Sequence, residues 1–211
     1  MKPAPKELKA NIAYRKKIIR RCQSDPAFLE QCYIRASRDF VWWCDTFAWT
    51  FSSKDNVKRP VVPFILFPYQ EEAALDLISA VGREDRLIEK ARDMGATWLI
   101  LAVITWFFIF RRNQRFLVGS RKQEFVDKTG DPKTLFWKIR FLLAKLPGWM
   151  LPPISDNNLH LGNDLNGSTI DGESTNENFG AGDRCAAILL DEFALVDCGY
   201  KILEAVGDAT N

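Results

Sequence analysis

One histidine, His160, stands among 211 residues, and none of the five cysteines (Cys22, Cys32, Cys44, Cys185, Cys198) falls in a Cys-x-x-Cys pair. Zinc centres need clustered thiolate and imidazole ligands, so this sequence offers no such centre. An odd cysteine count without a secretory leader argues for reduced thiols in a cytoplasmic setting. His160 lies in an Asn/Gly-rich stretch and reads as an ordinary surface or turn residue. Charge of one sign is also lacking: 29 Lys+Arg against 27 Asp+Glu leave a net charge of +2, too little for bulk attraction to nucleic acid. Locally, Leu146 to Asp183 holds no Lys or Arg, while Lys2, Lys6, Lys9, Arg15, Lys16, Lys17, Arg20 and Arg21 crowd the start. Both runs read as solvated surface. A membrane-length apolar run is missing too. Trp98 to Phe110 is apolar throughout, but thirteen residues make about 20 Å of helix, short of a ~30 Å hydrocarbon core. A helix apolar on all sides and too short to span belongs against a sheet.

What is present suits one sizeable α/β core with a smaller appendage. Residues 3–22 and 25–51 carry apolar side chains at helical spacing, with Asp25-Pro26 as N-cap and first-turn pair. A polar connector leads to the apolar run 61–67, and residues 69–81 form an amphipathic helix. From Asp85 strands and helices alternate. Residues 85–91 read as a strand, 95–111 as a helix and 114–120 as a second strand. Residues 121–130 and 131–146 read as a helical pair broken at Gly130, with Asp131-Pro132 opening the second member. Residues 159–174 suggest a hairpin, 185–192 a buried strand ending in carboxylates, and 194–208 a closing helix. The expected fold is a mostly parallel sheet covered on both faces, behind a helical N-terminal segment over residues 1–60.

Two stretches carry chemistry. "EKARDMGATW" (Glu89 to Trp98) is a glycine turn between a strand and a helix. Amide groups at a helix N-terminus converge on anionic oxygens there, and glycine permits close approach. Thr97 sits where a hydroxyl would bind magnesium, but Ala96 occupies the position where a phosphate loop has its lysine. Lys90 and Arg92 begin the same loop and could reach phosphates from the other side. "AAILLDEF" (Ala186 to Phe193) is an apolar strand that stops at Asp191-Glu192, the sheet edge at which open α/β folds bind ligands. Asp191 is suited to hold hydrated magnesium, and Glu192 to orient and deprotonate water. The plainer alternative is a helix N-cap pair following a core strand.

Taken in order, these stretches resemble the large terminase subunits of tailed bacteriophages, the ATP-driven motors that package DNA into capsids. The loop is similar to the terminase form, in which an arginine precedes the loop and the lysine can lie at its start. "LLDEFALVD" resembles that family's Asp-Glu strand, and "FPYQEEA", with Tyr69 and Gln70, its adenine-recognition motif. The resemblance covers most of the chain from about Asp39. It implies a RecA-like P-loop NTPase core of the ASCE type over residues 61–211, with residues 1–60 as a lid-like segment. It implies ATP and Mg2+ as ligands. Tyr69, Gln70, Lys90, Arg92, Asp93, Met94, Gly95, Ala96, Thr97 and Trp98 would lie around the nucleotide, Thr97 and Asp191 around the metal. Glu192, Lys90 and Arg92 would be catalytic. Arg184 is a candidate for the arginine that reaches a neighbouring subunit's γ-phosphate, or else a surface arginine beginning a strand. Implied partners are double-stranded DNA, a portal protein, a small terminase subunit and further copies in a ring, with no membrane, in the cytoplasm of an infected bacterium. The chain stops at Gly207 to Asn211 before the strand expected to carry the family's coupling motif and before its nuclease domain. It is therefore expected to be an ATPase part. Two alternatives stand beside this reading: another nucleic-acid translocase or helicase, and a nucleotide-binding interaction module that has lost hydrolysis.

Overall fold

Asp25 and Asp39 divide the N-terminal segment into three helices, α1 (Leu8–Ser24), α2 (Pro26–Arg38) and α3 (Phe40–Phe47). Each carboxylate accepts an amide of the helix that follows, Phe28 N at 3.0 Å and Trp42 N at 2.9 Å, and Pro26 takes the first helical position as expected. The computed structural model describes residues 1–52, 58, 60–91, 94–176, 179–180, 184–195 and 199–202. Helical spacing fails after Phe47, where β1 (Trp49–Phe51) pairs antiparallel with β2 (Val61–Pro63) instead of extending the helix. Trp49, Thr50 and Phe51 are aromatic or β-branched, types that favour a pleated surface once a partner strand is within reach.

The basic start is not all solvated surface. Arg15 is buried, donating to Asn11 Oδ1 at 2.7 Å, Ala48 O at 2.7 Å and Cys44 O at 3.1 Å, and burial pushes its guanidinium down to about 10. It thereby adds a donor to the carbonyls at the end of α3, among them that of Ala48, which has no partner within the helix. Lys6 pairs with Asp45 and with Glu71 of α4 (Pro68–Ala80), while Asp45 also accepts Leu66 N at 2.9 Å. The N-terminal helices are thus tied to the segment that enters α4, and one apolar core runs continuously from Ile18 through Trp43 and Leu101 to Ile170.

At its centre lies α5 (Ala96–Phe110), buried along Leu99 and Leu101–Ile109. Trp106 Nε1 donates to Ala36 O at 2.8 Å, joining it to α2. No helix among the described residues is long and apolar enough to cross a membrane. The chain then forms β3 (Arg115–Ser120), one helical turn α6 (Gln123–Val126) and α7 (Leu135–Ala144). α7 begins behind Thr134, whose hydroxyl accepts Trp137 N at 3.3 Å, rather than at Asp131-Pro132. Beyond a 3-10 turn come β4 (Ile154–Asn157), β5 (His160–Asn163), β6 (Ser168–Ser174) and β7 (Ala187–Leu190).

The sheet order is β4-β5-β6-β3-β7. β3 is parallel to both β6 and β7, but β4-β5-β6 is an antiparallel meander, so the sheet is mixed where a mostly parallel one was expected. Only the right-hand half carries α/β topology. Residues 85–91 are not a strand. They lie outside regular structure, with Leu87 92 % exposed, because no described strand pairs with them and β7 pairs only with β3. Coverage is unequal as well. Among the described residues, Phe116, Val118 and Ile170 face the large core, whereas Leu117 on the opposite face meets a small cluster with Phe179 and Ile202.

Candidate active site

The loop before α5 has the backbone geometry that its glycine suggests. Gly95 is the N-cap of α5 with φ 74° and ψ 15°, the left-handed region that side chains disfavour. Space is short there too: a Cβ on Gly95 would lie 3.1 Å from Gln70 Nε2. Gln70 is buried, and both ends of its amide are in use. Oε1 accepts Phe67 N at 3.2 Å and Nε2 donates to Met94 O at 3.0 Å. Gln70 therefore fastens the start of α4 to the loop, a role that its position in sequence did not suggest. Gly95→Ala is expected to cost about 1–2 kcal/mol from the left-handed backbone, with a further loss from the Gln70 contact. An unchanged urea midpoint would show that the loop is not held in this conformation.

Thr97 and Asp191, 94 positions apart, meet at the carboxyl end of β7: Thr97 Oγ1 donates to Asp191 Oδ1 at 3.1 Å. Asp191 N donates to Gly119 O at 2.9 Å, so the ladder with β3 fixes the residue that follows β7. Glu192 is exposed and has φ 57°, a left-handed backbone in a residue that is not glycine. Such strain clusters at functional sites. The helix-cap alternative loses ground, because Glu192 is followed directly by a 3-10 turn, Phe193–Leu195, and Asp191 accepts from Thr97. Helix is described again at 199–202, within the closing helix expected over 194–208.

Around this centre the remaining candidates separate. Trp98 packs edge-on against Phe141 at 5.7 Å, and Phe141 stacks on Trp137 at 5.1 Å, so Trp98 locks the first turn of α5 to α7. Tyr69 stays 46 % exposed and stacks parallel to Phe67 at 5.7 Å and 6°, which leaves a flat aromatic surface beside the loop. Lys90 is exposed and makes no hydrogen bond or ion pair with another described residue. Arg92 and Asp93 lie outside the described residues. Arg184 is exposed at the amino end of β7, and seven residues of extended chain, roughly 23 Å, separate it from Asp191. It does not join the site of its own chain.

One residue that sequence reading passed over lies within electrostatic reach of the carboxylates. Lys138 of α7 is half-buried, and burial lowers its pKa against the opposing pull of Asp191, Asp131 and Glu192. A lysine on an otherwise apolar helix gives no signal of this in sequence.

Thr97 Oγ1 and Asp191 Oδ1 form an all-oxygen pair of the kind that suits magnesium, which takes one or two protein ligands and completes its shell with water and phosphate. Among the described residues no group of three or more His, Cys, Asp or Glu forms a metal cage, and a substrate-borne magnesium needs none. An open depression of about 450 Å³ runs along α6, lined by Lys122, Gln123, Glu124, Asp127 and Lys128. No protein-family model matches the sequence, and no curated protein matches it.

Proposed function

We propose that this chain is a magnesium-dependent ATP hydrolase, the motor part of a machine that moves double-stranded DNA into a capsid. The observation that carries the hydrolase reading is the Thr97–Asp191 hydrogen bond. It joins the hydroxyl at a glycine-capped helix N-terminus to the first of two carboxylates ending an apolar strand. Either motif alone is common; their meeting at one sheet edge is what nucleotide hydrolysis requires. DNA packaging rests on the terminase resemblance, as do the portal protein, the small terminase subunit and ring assembly.

In this reading the amides at the start of α5 hold the phosphate chain. Thr97 and Asp191 would hold magnesium, which when bound neutralises charge on the phosphate oxygens. Glu192 orients a water and takes its proton as the water oxygen bonds to the γ-phosphorus and the bond to the β,γ-bridging oxygen breaks, leaving ADP and phosphate. Tyr69 and Phe67 offer their stacked rings to the base. Gln70 sets the loop. Arg184, at the opposite end of β7 from Asp191, is assigned to a neighbour's phosphate in a ring.

Ala96 favours a second reading, a nucleotide-binding interaction module without turnover. Phosphate release from ATP, measured with magnesium and with a chelator, separates the two. Magnesium-dependent turnover supports the hydrolase, and tight binding without turnover supports the module. Stimulation by double-stranded DNA bears on the motor assignment. Lys90→Ala tests the displaced cation of the loop. It is expected to lower kcat/KM roughly 10-fold or more, the worth of one charge-assisted hydrogen bond, whereas exposed Lys17→Ala on α1 stays at the parent's value. Equal turnover in both variants would remove Lys90 from the site.

A further inference from the structure

Ala96 stands where a phosphate loop has its lysine, and besides Lys90 the chain holds another lysine on the helix packed against the first turn of α5. α7 runs beside the first turn of α5, locked there by the Trp98–Phe141–Trp137 contacts, with Phe51 against Phe141 and Trp137 at 6.0 and 5.3 Å. On this helix Lys138 lies within coulombic reach of both Asp191 and Glu192, and of Asp131. It makes no ion pair with any of them. Its ammonium folds back toward the start of the helix, donating to the carbonyl of Lys133 and, at 3.4 Å, to that of Thr134. An ammonium has three donors, so one N–H remains without a partner among the described residues. Half-buried cations are costly unless paired. Here the charges of Asp191, Glu192 and Asp131 act on the cation without an ion pair to any of them, so its remaining N–H is available to an anion that a metal holds on those carboxylates.

We propose that Lys138 is a second phosphate-contacting cation of this site, reaching the terminal phosphoryl group of a magnesium-bound nucleoside triphosphate from α7 beside the loop cation Lys90. The inference rests on the nucleotide reading above and adds to it a residue outside both motifs. The burial that lowers the ammonium's pKa fits this role, since a poorly hydrated cation meets a phosphate oxygen with less desolvation left to overcome. A purely structural lysine would serve equally with any nucleotide or with none. A phosphate-contacting lysine distinguishes the triphosphate from AMP.

The test uses the whole chain and titrates Mg-ATP and AMP into the parent, Lys138→Met and Lys138→Arg. Lys138→Met keeps the apolar stem and removes the charge. It is expected to weaken Mg-ATP binding about 10–100-fold while AMP affinity stays at the parent's value, and Lys138→Arg should recover most of the loss. Equal Mg-ATP affinity in parent and Lys138→Met overturns the proposal and leaves the nucleotide reading standing. No Mg-ATP binding by the parent overturns both. Should Lys138→Met fail to fold, reductive methylation of the parent read by mass spectrometry decides. Mg-ATP, but not AMP, is expected to protect Lys138, and equal labelling with either overturns the assignment.

Discussion

Glu192→Gln is expected to bind Mg-ATP like the parent and to hydrolyse it about 10²–10⁴-fold more slowly. The amide keeps the size and hydrogen-bonding capacity of the carboxylate and loses only its ability to take a proton. Asp191→Asn should fail differently. An asparagine oxygen can still accept the Thr97 hydroxyl, so the junction of α5 and β7 survives, but a neutral amide is a poorer partner for a hydrated divalent cation. Magnesium-dependent nucleotide binding should weaken first, and turnover with it. The backbone supplies a third variant. Glu192 sits at φ 57°, where a side chain costs free energy that glycine does not. Glu192→Gly is therefore expected to be as stable as the parent or more so, and yet inactive. That pairing of gained stability with lost turnover is expected where strain is retained for function. If the two acids served only as a helix cap, each amide variant would lose about 1 kcal/mol of stability and keep full turnover in its folded fraction. Single-turnover hydrolysis, a binding titration and thermal melting of the three variants separate these outcomes. Parent-like turnover in folded Glu192→Gln would strike Glu192 from the mechanism and favour the binding module.

Several parts of this site were legible in the sequence because their causes are local. Gly95 before a run of apolar residues gives a left-handed N-cap and a buried helix, and an apolar strand stopping at Asp191-Glu192 places carboxylates at a sheet edge. Asp25-Pro26 opens α2 for equally local reasons. What sequence reading missed is non-local. Residues 85–91 have a strand's composition, but a strand is made by its neighbour, and the described chain supplies none. Trp49–Phe51 continued a helical pattern and became β1 because Val61–Pro63 came alongside. The two hydrogen bonds by which Gln70 ties Phe67 to Met94 had no signal in the sequence either. Lys138 carries no motif at all. Only the packing of α7 on α5, through Trp98 and Phe141, brings its charge to Asp191.

Packing also decides the second large effect. α5 positions Gly95 and Thr97 at one end, and its other end is held by the turn between β5 and β6. Asn163 Nδ2 donates to Phe108 O at 2.7 Å, and Asn166 Nδ2 to Phe108 O at 3.0 Å and Ile109 O at 3.2 Å. These amides satisfy carbonyls that a helix leaves open at its C-terminus. Midway between the two functions of this helix lies its burial, and Phe108, 0 % exposed, is among the largest side chains fully enclosed in the core. Phe108→Ala removes that ring and leaves a cavity that surrounding helices and strands can close only in part. The expected loss is about 3–5 kcal/mol of folding stability, a large share of the ~5–15 kcal/mol typical of a whole domain. Leu87→Ala, at a position 92 % exposed, should leave stability within about 0.5 kcal/mol of the parent. Urea unfolding of both variants gives the comparison directly. In the fraction of Phe108→Ala that stays folded, Mg-ATP affinity should match the parent's, because the ring supports the helix and touches nothing at its N-terminus. Equal urea midpoints for the two variants would mean that α5 is not the centre of the core, and the geometry that joins Thr97 to Asp191 would lose its support.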